Sequence, residues 1–96
     1  MQVRLLYVDG CPNWTVTDER LRALAGELAF DIAYEKIETP QRAEAVQFRG
    51  SPTVLVDGRD PFAADDAPVG LSCRLYVTPD GLAGAPTLEQ LREALA

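Results

Sequence analysis

Val3-Arg4-Leu5-Leu6-Tyr7-Val8-Asp9-Gly10-Cys11-Pro12-Asn13-Trp14 is the stretch whose reading decides the fold. Val3 to Val8 is an apolar run of strand length, rich in β-formers, and it stops at a glycine turn. Leu21, Leu24 and Leu28 then recur at i, i+3 and i+7, which predicts a helix beginning almost at once. Between strand and helix sits Cys11, followed by a proline. Proline is favoured at the first helical position, where its missing N–H costs nothing. The pattern therefore predicts Cys11 as the N-cap, with its sulfur facing the free amides of Asn13 and Trp14. A helix N-terminus favours negative charge, so a thiolate is stabilised in such a place.

The rest of the chain arranges itself around this turn. The first helix is predicted from Pro12 to Ala29, with Trp14, Thr17, Leu21, Leu24 and Leu28 facing inward. Asp31 to Ile37 reads as a second strand whose polar positions suit a sheet edge. Thr39-Pro40 repeats the cap-plus-proline signal and opens a short helix that buries Ala43, Val46 and Phe48, with Gly50 as its terminator. Thr53 to Asp57 is a buried strand, and Asp57-Gly58 has the composition of a hairpin turn. A loop over residues 59–72 precedes the next strand, Arg74 to Thr78, in which Leu75 and Val77 face one side and Arg74 and Tyr76 the other. Pro79-Asp80-Gly81 forms a turn, and Thr87-Leu88-Glu89-Gln90 is a capping box that opens a last helix through Leu88, Leu91 and Leu95. The order is β-α-β-α-β-β-α in a single domain over residues 1–96.

Composition narrows the function. A net charge of −6 argues against a nucleic-acid backbone or an anionic membrane as partner, since each calls for a basic face. No run of 18 apolar residues is present and Met1 leads straight into a strand, so a cytoplasmic protein is expected. Histidine is absent, which removes Ser-His and Cys-His catalysis and imidazole metal sites together. Two cysteines in a reducing compartment are expected as thiols.

Strand, Gly10, Cys11-Pro12 and helix, followed by Pro52 ahead of Thr53-Val54-Leu55-Val56-Asp57-Gly58, resemble the active-site turn and cis-proline strand of the thioredoxin-like superfamily, at the size of a glutaredoxin. The resemblance implies an α/β fold with a four-stranded mixed sheet flanked by three helices. It also implies a cis Ser51–Pro52 bond set against Cys11. Cys11 would be the catalytic thiol, and Pro12, Trp14, Ser51, Pro52 and Thr53 would contact the substrate, a thiol or a disulfide on a small molecule or a protein. No cofactor and no metal are expected. The family's Cys-x-x-Cys reads Cys11-Pro12-Asn13-Trp14 in this chain, so tryptophan replaces the resolving thiol. A dithiol cycle needs a second sulfur to attack the mixed disulfide, which leaves monothiol chemistry for Cys11.

Each singled-out residue also carries a plainer reading. Cys11 is either a reactive thiolate, favoured by the helix start and by Arg49 near Pro52, or an inert capping thiol, with Asp9 close by as an opposing charge. The Trp14 ring either covers the sulfur or packs in the core, the latter being the stronger reading. Cys73 is the second thiol. If the last strand returns towards the active turn, Cys73 starts at the opposite end of the sheet. At about 3.3 Å per residue that lies beyond disulfide reach, which ends near 7 Å between Cα atoms. Cys73 is accordingly expected as a small buried hydrophobe, slower to alkylate than Cys11. Asp57, Asp60, Asp65 and Asp66 lack the regular spacing of a calcium loop and read as solvated. Three functions remain: thiol–disulfide or thiol-redox chemistry through Cys11, a non-enzymatic binding module using the same turn, and a soft-metal thiol protein resembling short chains labelled organomercurial lyases.

Overall fold

The computed structural model describes residues 1–63 and 68–96. Strand β1 (Val3–Tyr7) is central: it pairs in parallel with β2 (Ile32–Lys36) and antiparallel with β3 (Thr53–Val56), giving the order β2-β1-β3. Its period-2 alternation buries both faces, as a central strand requires. Val3 and Leu5 join Leu21, Leu24, Val54 and Leu91 on one side, where helix α1 (Asn13–Leu28) and helix α3 (Leu88–Leu95) lie. Leu6 joins Ile37, Ala43, Phe48 and Leu55 on the other, under helix α2 (Pro40–Ala45). Arg4 and Arg42 converge on Glu35, both at 2.5 Å, tying α2 to the sheet. The Arg42 hydrogen bond foremost holds the Glu35 carboxyl below its ordinary range, against the opposing effect of its burial.

Local signals behave as their chemistry demands. Thr39 caps α2 by accepting from Arg42 N at 3.1 Å, with Pro40 next in the chain. Thr87 and Gln90 close a reciprocal capping box, both bonds at 3.0 Å. Asp57 and Gly58 both take positive φ, and Val56 pairs with Arg59 across them, so the hairpin turn forms. It continues for no further pairs: the chain leaves the sheet instead.

That departure corrects the four-stranded sheet. The described residues form two small sheets, β2-β1-β3 and a separate hairpin of β4 (Tyr76–Thr78) with β5 (Gly81–Ala83), and the order is β-α-β-α-β-β-β-α. Side chains explain it. Arg74 Nη1 bonds Thr53 Oγ1 at 3.3 Å and the Tyr76 hydroxyl donates to Pro52 O, so side chains rather than a strand stand beside the start of β3. With that edge occupied, β4 finds its ladder partner across the Pro79-Asp80 turn. Leu75 and Val77 share one face as the alternation predicts, but at 67% and 77% exposure that face is open.

Three smaller expectations also change. Leu28 is 36% exposed and closes the inward stripe of α1 at Leu24. Helix α2 ends with Val46 as C-cap and Gln47 in the left-handed region, so Gly50 does not terminate it. Asp60 is not solvated but ion-paired with Arg74 at 2.6 Å, the side chains 11% and 7% exposed. Asp57 accepts from Gln2 N, and Asp65 and Asp66 lie outside the described residues.

Candidate functional site

Gly10, at φ +83°, turns the chain out of β1 and directs Cys11 inward, where it is only 2% exposed. Pro12, not Cys11, is the N-cap of α1, and no side chain caps that end. The expected sulfur-to-amide geometry is thus corrected: proline adopts helical angles one position early, which moves Cys11 outside the first turn. The Cys11 S–H instead meets Ser51 O at 3.6 Å. Asp9 turns to solvent and pairs with Lys36 at 3.2 Å. The Trp14 ring stacks on Tyr7 with centroids 4.1 Å apart and packs against the core.

Ser51 is the junction of the site. Its Oγ accepts from Val8 N at 3.1 Å, which fastens it to the end of β1. Its own N–H donates to Ser72 O at 2.7 Å, and its carbonyl accepts from Arg74 N at 3.0 Å. These two bonds make a parallel bridge between Ser51 and Cys73. The Ser51–Pro52 bond is cis. Gly50, at φ +115°, lets the second segment come this close: a Cβ there would lie 2.9 Å from Arg74 Cβ and 3.2 Å from Ser72 O.

The bridge brings the two cysteines together. Cys73 Sγ lies 2.9 Å from Cys11 Sγ, across 62 positions of sequence, and both are free thiols. The expectations that Cys73 is buried and that it lies beyond reach of Cys11 are corrected, because this thiol is exposed and 2.9 Å from Cys11, whereas Cys11 is the buried one. The residues before β4 do not extend it antiparallel to β3; they run parallel to residues 50–52. The S–H of Cys73 donates to the Cys11 sulfur, and this hydrogen bond chiefly, with desolvation, raises the Cys73 pKa above the ordinary thiol value.

Residues that sequence reasoning passed over hold Cys73 in place. Arg74 is buried, bonds Asp60 through both η nitrogens at 2.6 and 3.3 Å, donates to Phe62 O at 2.7 Å, and lies 4.5 Å over the Tyr76 ring. Burial pushes the Tyr76 pKa up, so its hydroxyl keeps the proton it donates to Pro52 O. Thr53 Oγ1 donates to Gly50 O at 2.6 Å. Of the expected contact residues, Ser51, Pro52 and Thr53 therefore frame the thiol pair by structure rather than by exposure. One sequence signal pointed here: Arg74 and Tyr76 share a strand face, and an arginine held inside a small acidic chain needs a buried carboxylate partner.

Among the described residues, no group of three or more cysteine, aspartate and glutamate side chains could hold a metal ion. No described helix is long and apolar enough to cross a membrane. No protein-family model, no curated protein and no solved structure matches the chain.

Proposed function

We propose that the protein carries out thiol–disulfide exchange, with Cys11 and Cys73 working as one dithiol pair. The single observation that supports this is the 2.9 Å contact between their sulfurs. It supplies from residue 73 the second thiol that Trp14 denies to the Cys11-Pro12-Asn13-Trp14 turn, so a complete cycle replaces the monothiol one. Two thiols and one external disulfide yield the Cys11–Cys73 bond and two released thiols. The electron pair of each new S–S bond comes from a thiolate, and each leaving sulfur takes up a proton. The Cys11-Pro12 turn and Pro52 also support kinship with thioredoxin-like proteins at the level of the site.

Mild oxidation of the reduced protein tests the proposal. It should lower the intact mass by about two daltons, the two hydrogens lost when an S–S bond forms. Tryptic mapping should join Cys11 to Cys73. A bond across 62 positions also removes unfolded-state entropy worth about 4 kcal/mol, so the oxidised form should resist urea better than the reduced one. A folded protein that stays reduced under mild oxidant would refute the reading. The same pair of sulfurs supports a second reading, two-coordinate capture of a soft metal ion. Titrating reduced protein with mercuric ion separates it: one equivalent bound with loss of both free thiols would favour it.

A further inference from the structure

We propose that Cys73 is the sulfur through which an incoming small disulfide enters, and that buried Cys11 is the resolving thiol. This rests on the dithiol reading above and adds the order of events and the substrate class. Cys73 lines a cavity of about 290 Å³ whose apolar walls are Phe62, Pro68 and Leu75. Cys11 is 2% exposed and is not among its lining residues. Cys73 is therefore the one sulfur that touches both the cavity and the other thiol. The cavity sits at the lower end of ligand-site volumes, which suits a low-molecular-weight disulfide. Rates of exchange depend on which sulfur can be reached as well as on thiolate character.

The chemistry balances along this route. Cys73 loses its proton to solvent and, as the thiolate, attacks the nearer sulfur of the disulfide. One half leaves as a thiolate, and Cys73 carries the other half as a mixed disulfide. Cys11 loses its proton to the departing thiolate and attacks the Cys73 sulfur. The second half leaves and takes a proton from solvent, and the Cys11–Cys73 bond remains. In reverse, an incoming thiolate attacks Cys73 and Cys11 is the leaving sulfur. The Arg74–Asp60 pair anchors the neighbouring residue, so Cys73 presents to the cavity without leaving Cys11.

The probe is bis(2-hydroxyethyl) disulfide, applied to reduced wild type, Cys11→Ser and Cys73→Ser, with adducts located by peptide mapping. Cys11→Ser should accumulate one hydroxyethylthio adduct on Cys73. Cys73→Ser should label Cys11 at least about tenfold more slowly, because a buried thiol reacts poorly. If Cys11→Ser fails to fold, Cys11→Ala replaces it. A substoichiometric pulse of iodoacetamide on wild type, expected to mark Cys73 first, reads the same order without any substitution. Labelling of Cys11 in Cys73→Ser as fast as labelling of Cys73 in Cys11→Ser would overturn the entry assignment, even where wild type forms the internal disulfide. Wild type that keeps the adduct on Cys73 and never forms the internal bond would overturn the dithiol reading and the resolving role of Cys11 with it. Absence of labelling on both cysteines would overturn both.

Discussion

Arg74→Met tests whether one buried ion pair keeps the two thiols together. The substitution keeps an unbranched side chain of similar length but removes both contacts to Asp60, the 2.7 Å bond to Phe62 O and the 3.3 Å bond to Thr53 Oγ1. With the two side chains only 7% and 11% exposed, the Asp60 carboxylate is left without its partner in a nearly dry place. Breaking such a pair from one side costs about 3–5 kcal/mol. A chain of this length has a total stability of about 5–14 kcal/mol, so the loss is a large fraction of it. Urea unfolding under reducing conditions, with a slope near 1.3 kcal/mol/M, should move its midpoint down by roughly 3 M. Asp60→Asn combined with Arg74→Met removes the orphaned charge and should recover more than half of the loss. Closure of the Cys11–Cys73 disulfide, timed by intact mass, should slow in the single variant because Cys73 follows its neighbour. A single variant within about 1 kcal/mol of wild type would refute the reasoning. So would a double variant whose loss equals the sum of the two single losses.

Gly50→Ala places a Cβ 2.9 Å from Arg74 Cβ on a backbone at φ +115°, so stability should fall by about 1–3 kcal/mol and disulfide closure should slow with it. Denaturant melts and the same mass-based timing check both. Thr87→Ala removes the 3.0 Å bond to Gln90 N and should cost about 1 kcal/mol, lowering Tm by roughly 4–8 °C without altering closure of the disulfide. The Cys73 pKa is raised by its bond to Cys11, so that bond is intact below the ordinary thiol value and is lost as pH rises through the higher folded value. The rate of Cys73 alkylation should accordingly climb only above about pH 8.5, and its inflection should move down in Cys11→Ala. An unchanged inflection would mean that Cys11 does not hold the Cys73 proton.

The parts legible in the sequence are those set by neighbours a few residues apart. The apolar run through Val3, Leu5 and Leu6 reports a strand, and because side chains alternate between its two faces, both are buried. Thr39-Pro40 and Thr87-Gln90 report helix starts because the capping side chains reach amides only two or three positions away. Asp57-Gly58 reports a turn because both residues tolerate positive φ. Leu28 and the ends of α1 were less legible, since burial of a helix's last turn depends on what packs there. Cys11 could be read as special from its place after Gly10, but not as buried.

The thiol pair itself was decided by tertiary structure alone. A loop over residues 59–72 carries no pattern that states where it returns. Where the chain rejoins the sheet follows from contacts between distant residues: Asp60 with Arg74, the Tyr76 hydroxyl with Pro52 O, and Ser51 with Ser72 and Arg74. Each joins segments whose separation in sequence says nothing of their separation in space. Extending strand periodicity from Arg74 backwards assumed that backbone ladders would cover β3. Instead a buried guanidinium and a tyrosine occupy that edge, and the chain lies parallel to residues 50–52. Sequence therefore named both cysteines as thiols, and only the packing around Gly50, Ser51 and Arg74 set their sulfurs 2.9 Å apart.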